Sequence, residues 1–211
     1  KKEVLAKAKA ENVRFVRLQF TELHGQLKAV QIPVEELSKA LDNEMMFDGS
    51  SIRGYKRIEQ SDMYFHPDPD TFQVIPWLAG ETGNVARIIC DVADPDGTPF
   101  AGDPRVALKR VLADAKKMGY DMNVGPEAEF YLFDSARYKT GPNSSVYEVD
   151  SAEGAWNMGN EYEEDGSRNR GYKTRMKGGY FPVSPTDQMP DLRDVMERNA
   201  RTTDVDEAIA L

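Results

Sequence analysis

The stretch "GPEAEFYLF", residues 125–133, contains two glutamates whose carboxylates and close spacing are suited to chemistry. Glu127 and Glu129 lie two positions apart in a run that is otherwise apolar and strand-like. In a β-strand such residues share one face, roughly 6.5 Å apart, where two carboxylates repel by roughly 2.5 kcal/mol at an effective dielectric of about 20. A divalent cation turns this repulsion into attraction, and oxygen ligands on one rigid face suit Mg²⁺ or Mn²⁺.

The spacing also allows a simpler interpretation. Both glutamates could lie on the solvated face of a half-exposed strand, each paired with a lysine or an arginine. The spacing alone leaves the two interpretations open. The two histidines, His24 and His66, each stand alone in turn-like surroundings and are interpreted as structural rather than as metal ligands.

The elements that come before this stretch predict a small α+β domain. An amphipathic helix, "KKEVLAKAKAEN", precedes a hairpin formed by "RFVRLQF" and "QLKAVQI". Pro33 opens a second helix. A long irregular stretch, residues 46–70, leads to two further strands, "TFQVIPW" and "NVARIICDV".

A connector rich in proline and glycine, "ADPDGTPFAGDP", separates this domain from the rest of the chain. Asp103 is expected to cap the next helix, which Gly119 ends. Its predicted buried face consists of Leu108, Val111, Leu112, Ala115 and Met118. A strand over residues 122–134 follows, then a polar irregular stretch over residues 135–177 and a final helix, "MPDLRDVMERNA". The predicted domains are residues 1–98 and 99–211.

Composition excludes several classes of function. The formal net charge of -9 leaves no basic surface for a nucleic-acid partner. Cys90 is the single cysteine, so no disulfide can form within the chain, which fits a reducing, cytoplasmic location. No apolar run approaches the roughly 18 residues of a membrane span, so no membrane partner is expected.

Four segments, in the same order, resemble bacterial-type (type I) glutamine synthetases. In chain order they are "MFDGSSIRGY" with "EQSDMYFHPDPDTF", "DPDGTPFAGDPR", "GPEAEF" and "KGGYFPVSPTD". The resemblance covers residues 1 to about 198. It implies an α+β chain with a small β-grasp-like N-terminal domain followed by the beginning of a catalytic α/β barrel. Because the family chain is roughly twice as long, we expect this chain to be an incomplete portion.

The resemblance implies an ATP-dependent ligation of ammonia to glutamate, which gives glutamine, ADP and phosphate through γ-glutamyl phosphate. Phosphoryl transfer to a carboxylate brings two anions together, so divalent ions are needed. By the family pattern, Glu129 is a ligand of the Mg²⁺ or Mn²⁺ ion nearest the substrate glutamate. Glu127 holds the second metal ion, on the ATP phosphates.

The resemblance assigns Asp48 to the proton transfer from ammonium, with Ser51 beside it. A carboxylate suits this role because it attracts the cation and then accepts its proton. The alternative is a turn aspartate that caps its own loop in "DGSS". Tyr55 is expected at the entrance of the site and Tyr180 near the substrate pocket.

The resemblance also implies a partner, since subunits of this family form double-ringed dodecamers in which the N-terminal loop completes the neighbour's active site. Two alternatives stay open. One is a γ-glutamyl-amine or polyamine ligase, and the other is a non-catalytic synthetase fragment that binds full-length subunits. The acidic run "NEYEEDG" is interpreted as a solvated loop.

Overall fold

The computed structural model describes residues 1–125, 127, 129–151, 153–156 and 173–202. The chain forms two compact units, each described by itself below. Among the described residues, the first takes in residues 1–125 and 198–202, and the second takes in those between 127 and 197. The domain boundary predicted at residues 98–99 stays a prediction.

The first unit is built on a six-stranded mixed sheet. Its strands are β1 (Val13–Thr21), β2 (Leu27–Pro33), β3 (Met46–Asp48), β4 (Asp62–Pro67), β5 (Gln73–Val74) and β6 (Asn84–Ala93). The strand order is β2-β1-β6-β4-β3, and β5 also pairs with β6. Only β1 and β6 are parallel, and the remaining pairs are antiparallel. The predicted hairpin is confirmed as β1 and β2.

Alternation in β1 explains which side of the sheet is buried. Val16, Leu18 and Phe20 are almost completely buried, whereas the intervening Arg17 and Gln19 are partly exposed. A period of two places alternate side chains on opposite faces, so one face of β1 is apolar. That face lies in the hydrophobic core of the unit.

Two helices contribute to the same core, as the sequence predicts. Helix α1 (Lys2–Ala10) buries Val4 and Ala8. The region opened by Pro33 is a short 3₁₀ turn followed by helix α2 (Leu37–Ala40). All of these buried side chains join one cluster with the inner face of the sheet.

The long irregular stretch predicted over residues 46–70 contains β3 and β4, so that part of the prediction is wrong. Strand β4 pairs with β6, and its Met63 and Phe65 are fully buried. These two apolar positions alternate as in a strand. This alternating pattern is short and is flanked by Gly, Ser, Asp and Pro, which are typical of turns. The sequence alone therefore does not reveal the strand.

Helix α3 (Pro104–Lys117) begins where the capping residue predicts. Asp103 is buried, and its Oδ1 accepts a hydrogen bond from the Arg105 backbone N–H at 2.8 Å. Its Oδ2 accepts another from the backbone N–H of Val92, also at 2.8 Å. The same carboxylate therefore starts the helix and ties it to strand β6.

An ion cluster holds the first turn of α3 on the sheet. The buried Arg105 guanidinium donates to Asp68 at 2.6 Å and to Asp91 at 2.5 Å. Lys109, one helical turn further on, donates to Asp91 at 2.6 Å. A buried arginine flanked by two carboxylates avoids the cost of an unpaired buried charge.

The predicted buried face of α3 is wrong for most of its length. Leu108, Val111 and Met118 are 36%, 64% and 73% exposed, whereas Arg105 and Val106 in the first turn are buried. The other two predicted positions, Leu112 and Ala115, are half-buried. Helical periodicity identifies an apolar stripe, but it does not show what covers that stripe.

The second unit differs most from the prediction. The strand predicted over residues 122–134 is wrong, because none of its described positions pairs with another strand. A hairpin of β7 (Ser135–Thr140) and β8 (Ser145–Asp150) lies where an irregular stretch was expected. The predicted C-terminal helix is confirmed as α4 (Pro190–Thr202).

Some sequence features lie outside the described residues. These are the acidic run at 160–166, Pro126 and Ala128 beside the two glutamates, and residues 203–211. Within the described ranges, no helix combines the length and the apolar character that a membrane crossing requires.

Candidate functional site

Asp48 ends strand β3 and caps the 3₁₀ turn Gly49–Ser51 that follows it. Its Oδ1 accepts hydrogen bonds from the backbone N–H of Ser50 at 2.8 Å and from the Ser50 hydroxyl at 2.6 Å. Its Oδ2 accepts one from the Ser51 hydroxyl at 3.0 Å. The capping interpretation of "DGSS" therefore describes the local geometry, and it also brings Asp48 and Ser51 together.

These hydrogen bonds act on the charge of Asp48. The Ser50 hydroxyl contributes most to a pKa below the ordinary value of this carboxyl, with help from the Ser50 N–H and the Ser51 hydroxyl. Hydrogen bonds to the charged form of an acid favour that form. Asp48 is exposed as well as charged, so it can attract a cation from solvent.

Gly49 explains why the turn can form at this place. Its backbone N–H donates to the Ser61 carbonyl at 2.6 Å. A Cβ at this position would lie 2.4 Å from Met63 Sδ and 2.7 Å from Met63 Cγ, so glycine allows the backbone to approach β4 closely. The turn is thereby held against the sheet at the residue that follows Asp48.

Tyr55, predicted at the entrance of the site, lies in the core of the first unit. It is 8% exposed, and its hydroxyl donates to the Thr21 carbonyl at 3.1 Å. Burial raises the pKa of the Tyr55 phenol, and the nearby Asp103 and Glu22 carboxylates raise it further. At neutral pH Tyr55 is therefore a neutral hydrogen-bond donor inside the fold.

The two glutamates are both exposed and belong to the second unit. Because the segment is not a strand, the argument that a shared strand face places them side by side does not hold in this structure. Glu129 accepts a hydrogen bond from the Tyr180 hydroxyl, whose oxygen lies 2.5 Å from Glu129 Oε1. This hydrogen bond is the main cause of a raised pKa at Tyr180.

The donor set for a metal ion is partial. Within the described parts of the chain, no three His, Cys, Asp or Glu side chains are grouped so that they could hold an ion. Mg²⁺ prefers about six oxygen ligands, so Glu127 and Glu129 could supply only a share of them. The described residues do not by themselves fit a complete metal site.

The predicted site residues thus form two separate sets. Asp48 and Ser51 meet in the first unit, and Glu129 and Tyr180 meet in the second. A surface depression of about 390 Å³ in the first unit is lined by His66, Asp91 and Lys109, among others, and contains none of the predicted site residues.

Two residues that hold Asp48 in place were missed by the sequence reasoning. Ser50 gives the Asp48 carboxylate two of its three hydrogen bonds, and Gly49 anchors the turn. The signal for Ser50 was present in "DGSS", since an aspartate commonly bonds the backbone two residues further on. Nothing in the sequence shows that Met63 closes the space beside Gly49.

Comparisons with known proteins give matches to one family along most of the chain. The family model described as "Glutamine synthetase, beta-Grasp domain" matches residues 12–95, and "Glutamine synthetase, catalytic domain" matches residues 101–209. The glutamine synthetase of Staphylococcus aureus (strain Mu50 / ATCC 700699) is 59% identical over 134 residues, which cover 63% of this chain and 30% of that protein. The Staphylococcus epidermidis enzyme is 62% identical over 127 residues, or 60% of this chain and 28% of that protein.

A solved structure supports the same fold. The cryo-EM structure of Plasmodium falciparum glutamine synthetase matches with a TM-score of 0.76 and 24% identity, over 95% of this chain and 39% of that one. The chain spans about 30% of the length of the Staphylococcus relatives. The family-model matches, which leave only short segments uncovered, show that this chain belongs to the glutamine synthetases, a family of ligases.

Proposed function

We propose that the chain serves the ATP-dependent ligation of ammonia to glutamate, with glutamine, ADP and phosphate as products and γ-glutamyl phosphate as the intermediate. Membership of the glutamine synthetase family supports the reaction class. The observation that carries the proposal is Asp48, an exposed carboxylate kept charged by Ser50 and Ser51.

In this proposal Asp48 binds the ammonium ion and accepts a proton from it, which leaves ammonia free to attack the acyl phosphate. Ser50 and Ser51 hold the carboxylate in one orientation. Their hydrogen bonds lower the proton affinity of Asp48, so its first task is electrostatic attraction of the cation. Proton acceptance then relies on the proximity of the bound ammonium.

Glu127 and Glu129 are proposed as carboxylate ligands of Mg²⁺ or Mn²⁺. When bound, the metal would neutralise the charge between the phosphates of ATP and the substrate carboxylate. Tyr180 orients Glu129 through the hydrogen bond between its phenol and Oε1. Within the described residues, no third His, Cys, Asp or Glu side chain is grouped with them.

The proposal also includes a cytoplasmic location and a homo-oligomer, a dodecamer by family. In this oligomer the loop at Asp48 serves the site of a neighbouring subunit.

A second candidate function is a non-catalytic chain that binds full-length synthetase subunits, and one observation favours it. Tyr131, Phe133 and Phe181 in the second unit are 84%, 45% and 96% exposed, which is unusual for large apolar side chains without a partner surface.

Phosphate release from ATP by the purified chain, in the presence of glutamate, Mg²⁺ and an amine, tests the proposal. We expect release to depend on both glutamate and ammonium, and to be at least tenfold slower when a polyamine replaces ammonium. Faster turnover with the polyamine would assign the chain to the γ-glutamyl-amine ligases. Absence of turnover, together with co-sedimentation with an intact synthetase, would assign it the non-catalytic role.

A further inference from the structure

The segment from Asp48 to Lys56, here termed the Asp48 loop, is held at both ends. Its first end is anchored by the pairing of β3 with β4 and by the Gly49 N–H on the Ser61 carbonyl. Its other end is Tyr55, which is buried against residues distant in sequence. The loop is therefore held at both ends, and its second end is held by the side chains of Tyr55 and Lys56.

The Tyr55 side chain makes one hydrogen bond and two ring contacts. Its hydroxyl donates to the Thr21 carbonyl at the end of β1, 3.1 Å away. Its ring lies 4.8 Å from that of Phe100 and 6.2 Å from that of Phe20, measured between centroids. The phenol is thus hydrogen-bonded to the first hairpin, while the ring packs on Phe100 in the connector, residues 93–104.

Lys56 adds a second contact between the loop and the connector. Its Nζ lies 2.6 Å from Asp94 Oδ1 as an ion pair and 5.2 Å from the centroid of the Phe100 ring. The connector is in turn fixed to β6, because the Phe100 N–H donates to the Val92 carbonyl at 2.8 Å and Asp103 accepts from the Val92 N–H. Phe100 therefore offers the loop a rigid surface.

The path from Tyr55 back to Asp48 is short and hydrogen-bonded. The Tyr55 N–H donates to the Ile52 carbonyl at 3.1 Å, and the Ile52 N–H donates to the Gly49 carbonyl at 3.2 Å. Between them Gly54 adopts a φ of +84°, in the left-handed region that favours glycine. Two consecutive turns therefore link the buried phenol to the serines that hold the Asp48 carboxylate.

We propose that Tyr55 is a positioning residue for Asp48: it fixes the Asp48 loop on β1 and, through Phe100, on the connector that joins the two parts of the chain matched by the family models. This inference rests on the proposed role of Asp48. The orientation of the carboxylate then depends on residues about fifty positions further along the chain. A displacement of the connector would reach the carboxylate through Phe100 and Tyr55.

Hydrogen–deuterium exchange of the backbone amides of residues 49–56 tests this inference on the chain itself. Tyr55→Phe keeps the ring but loses the hydrogen bond to Thr21, so we expect about fivefold faster exchange in the loop, the effect of one hydrogen bond. Phe100→Leu removes the ring contact from the connector side and should accelerate the same amides. Tyr138→Phe, at a position that is 86% exposed in β7, is the matched control and should leave them unchanged.

Global unfolding in urea, measured on the same variants, separates positioning from a general core role. Faster exchange confined to residues 49–56, beyond what the change in global stability explains, supports the inference. Exchange that rises equally in β1, β6 and the loop, or a loop that does not respond, would overturn it.

An activity measurement addresses the positioning role separately from the proposed reaction. In the phosphate-release assay, Tyr55→Phe is expected to raise the KM for ammonium severalfold and to leave the KM for ATP unchanged. An equal change in both constants would contradict a specific effect on Asp48. If the unaltered chain shows no turnover, the proposed reaction fails for this chain, and the exchange experiment still decides whether Tyr55 positions the loop.

Discussion

The Tyr180 hydroxyl donates a hydrogen bond to the carboxylate of Glu129, 51 residues earlier in the chain, with the two oxygens 2.5 Å apart. Both residues were proposed from the family pattern, one as a metal ligand and the other near the substrate pocket. Their contact lies within the second compact unit, where the expected strand does not form. The hydrogen bond thus gives Glu129 a fixed partner that does not depend on a strand.

Manganese binding should depend on the two glutamates. With a partial ligand set, we expect weak binding of Mn²⁺ to the chain, seen by electron paramagnetic resonance as loss of the free-ion signal. The double variant Glu127→Gln, Glu129→Gln should bind at least tenfold more weakly. Glu148→Gln, an exposed glutamate in β8, is the control. An equal loss of Mn²⁺ binding in the control would indicate that the ion is attracted non-specifically by the acidic chain.

Much of the first unit could be predicted from the sequence because its signals are local. The alternation in β1, the hairpin and the cap at Asp103 each depend on neighbouring residues, and all three are present. Tyr55 could not be placed, because its burial depends on Phe100, which is distant in sequence. An aromatic residue between glycine and lysine gives no periodic signal.

The second unit could be predicted only in part, because strand formation there depends on pairing partners that local sequence does not reveal. The apolar run at residues 130–133 has strand composition, yet a strand exists only where a neighbour accepts its hydrogen bonds, and composition does not supply one. The β7–β8 hairpin was missed because alternation in "SVYEVD" is hidden behind the polar turn "GPNS". Helix α4 was found because its periodicity is local.

Replacement of Gly49 should destabilise the first unit. A Cβ at this position would lie 2.4 Å from Met63 Sδ, so Gly49→Ala forces a shift in a fully buried side chain, at a cost of about 1–3 kcal/mol. Gly141→Ala is the control, since its Cβ would meet nothing closer than 3.6 Å. The free energy of unfolding in urea measures both. A neutral Gly49→Ala would show that the turn at Asp48 tolerates a side chain.

Asp103 should contribute more to stability than an exposed aspartate on the same helix. Asp103→Ala removes the cap of α3 and leaves the buried Val92 N–H without its acceptor, which should lower the free energy of unfolding by about 2–4 kcal/mol. Asp114→Ala, which breaks only an exposed pair with Lys117, should change it by less than about 0.5 kcal/mol. Similar losses in the two variants would contradict the assigned double role.

Acid unfolding should depend on Asp68. Burial raises the pKa of this carboxyl. The hydrogen bond and charge of Arg105, together with the Asp70 N–H and the charge of Lys109, outweigh burial, so the pKa in the folded state lies below the ordinary value. The stabilisation is therefore present above the unfolded pKa, about 3.9, and is lost as the pH falls through the folded pKa.

The variant Asp68→Asn should accordingly be less stable than the unaltered chain at pH 7, and the difference should shrink below about pH 4. Urea unfolding between pH 2 and pH 7 measures it, with the exposed Asp70→Asn as the control. A difference that stays constant with pH would mean that the ion pair with Arg105 contributes nothing through the charge of Asp68.

Transfer of ¹⁵N from ammonium to the side-chain amide of glutamine, followed by NMR with ATP, glutamate and Mg²⁺ present, tests the central claim most directly. The unaltered chain should form labelled glutamine, and Asp48→Asn, which keeps the shape but loses the charge, should be at least about 100-fold slower. The exposed Asp42→Asn should match the unaltered chain. Equal rates for Asp48→Asn and the unaltered chain, or no labelled glutamine from either, would contradict the account.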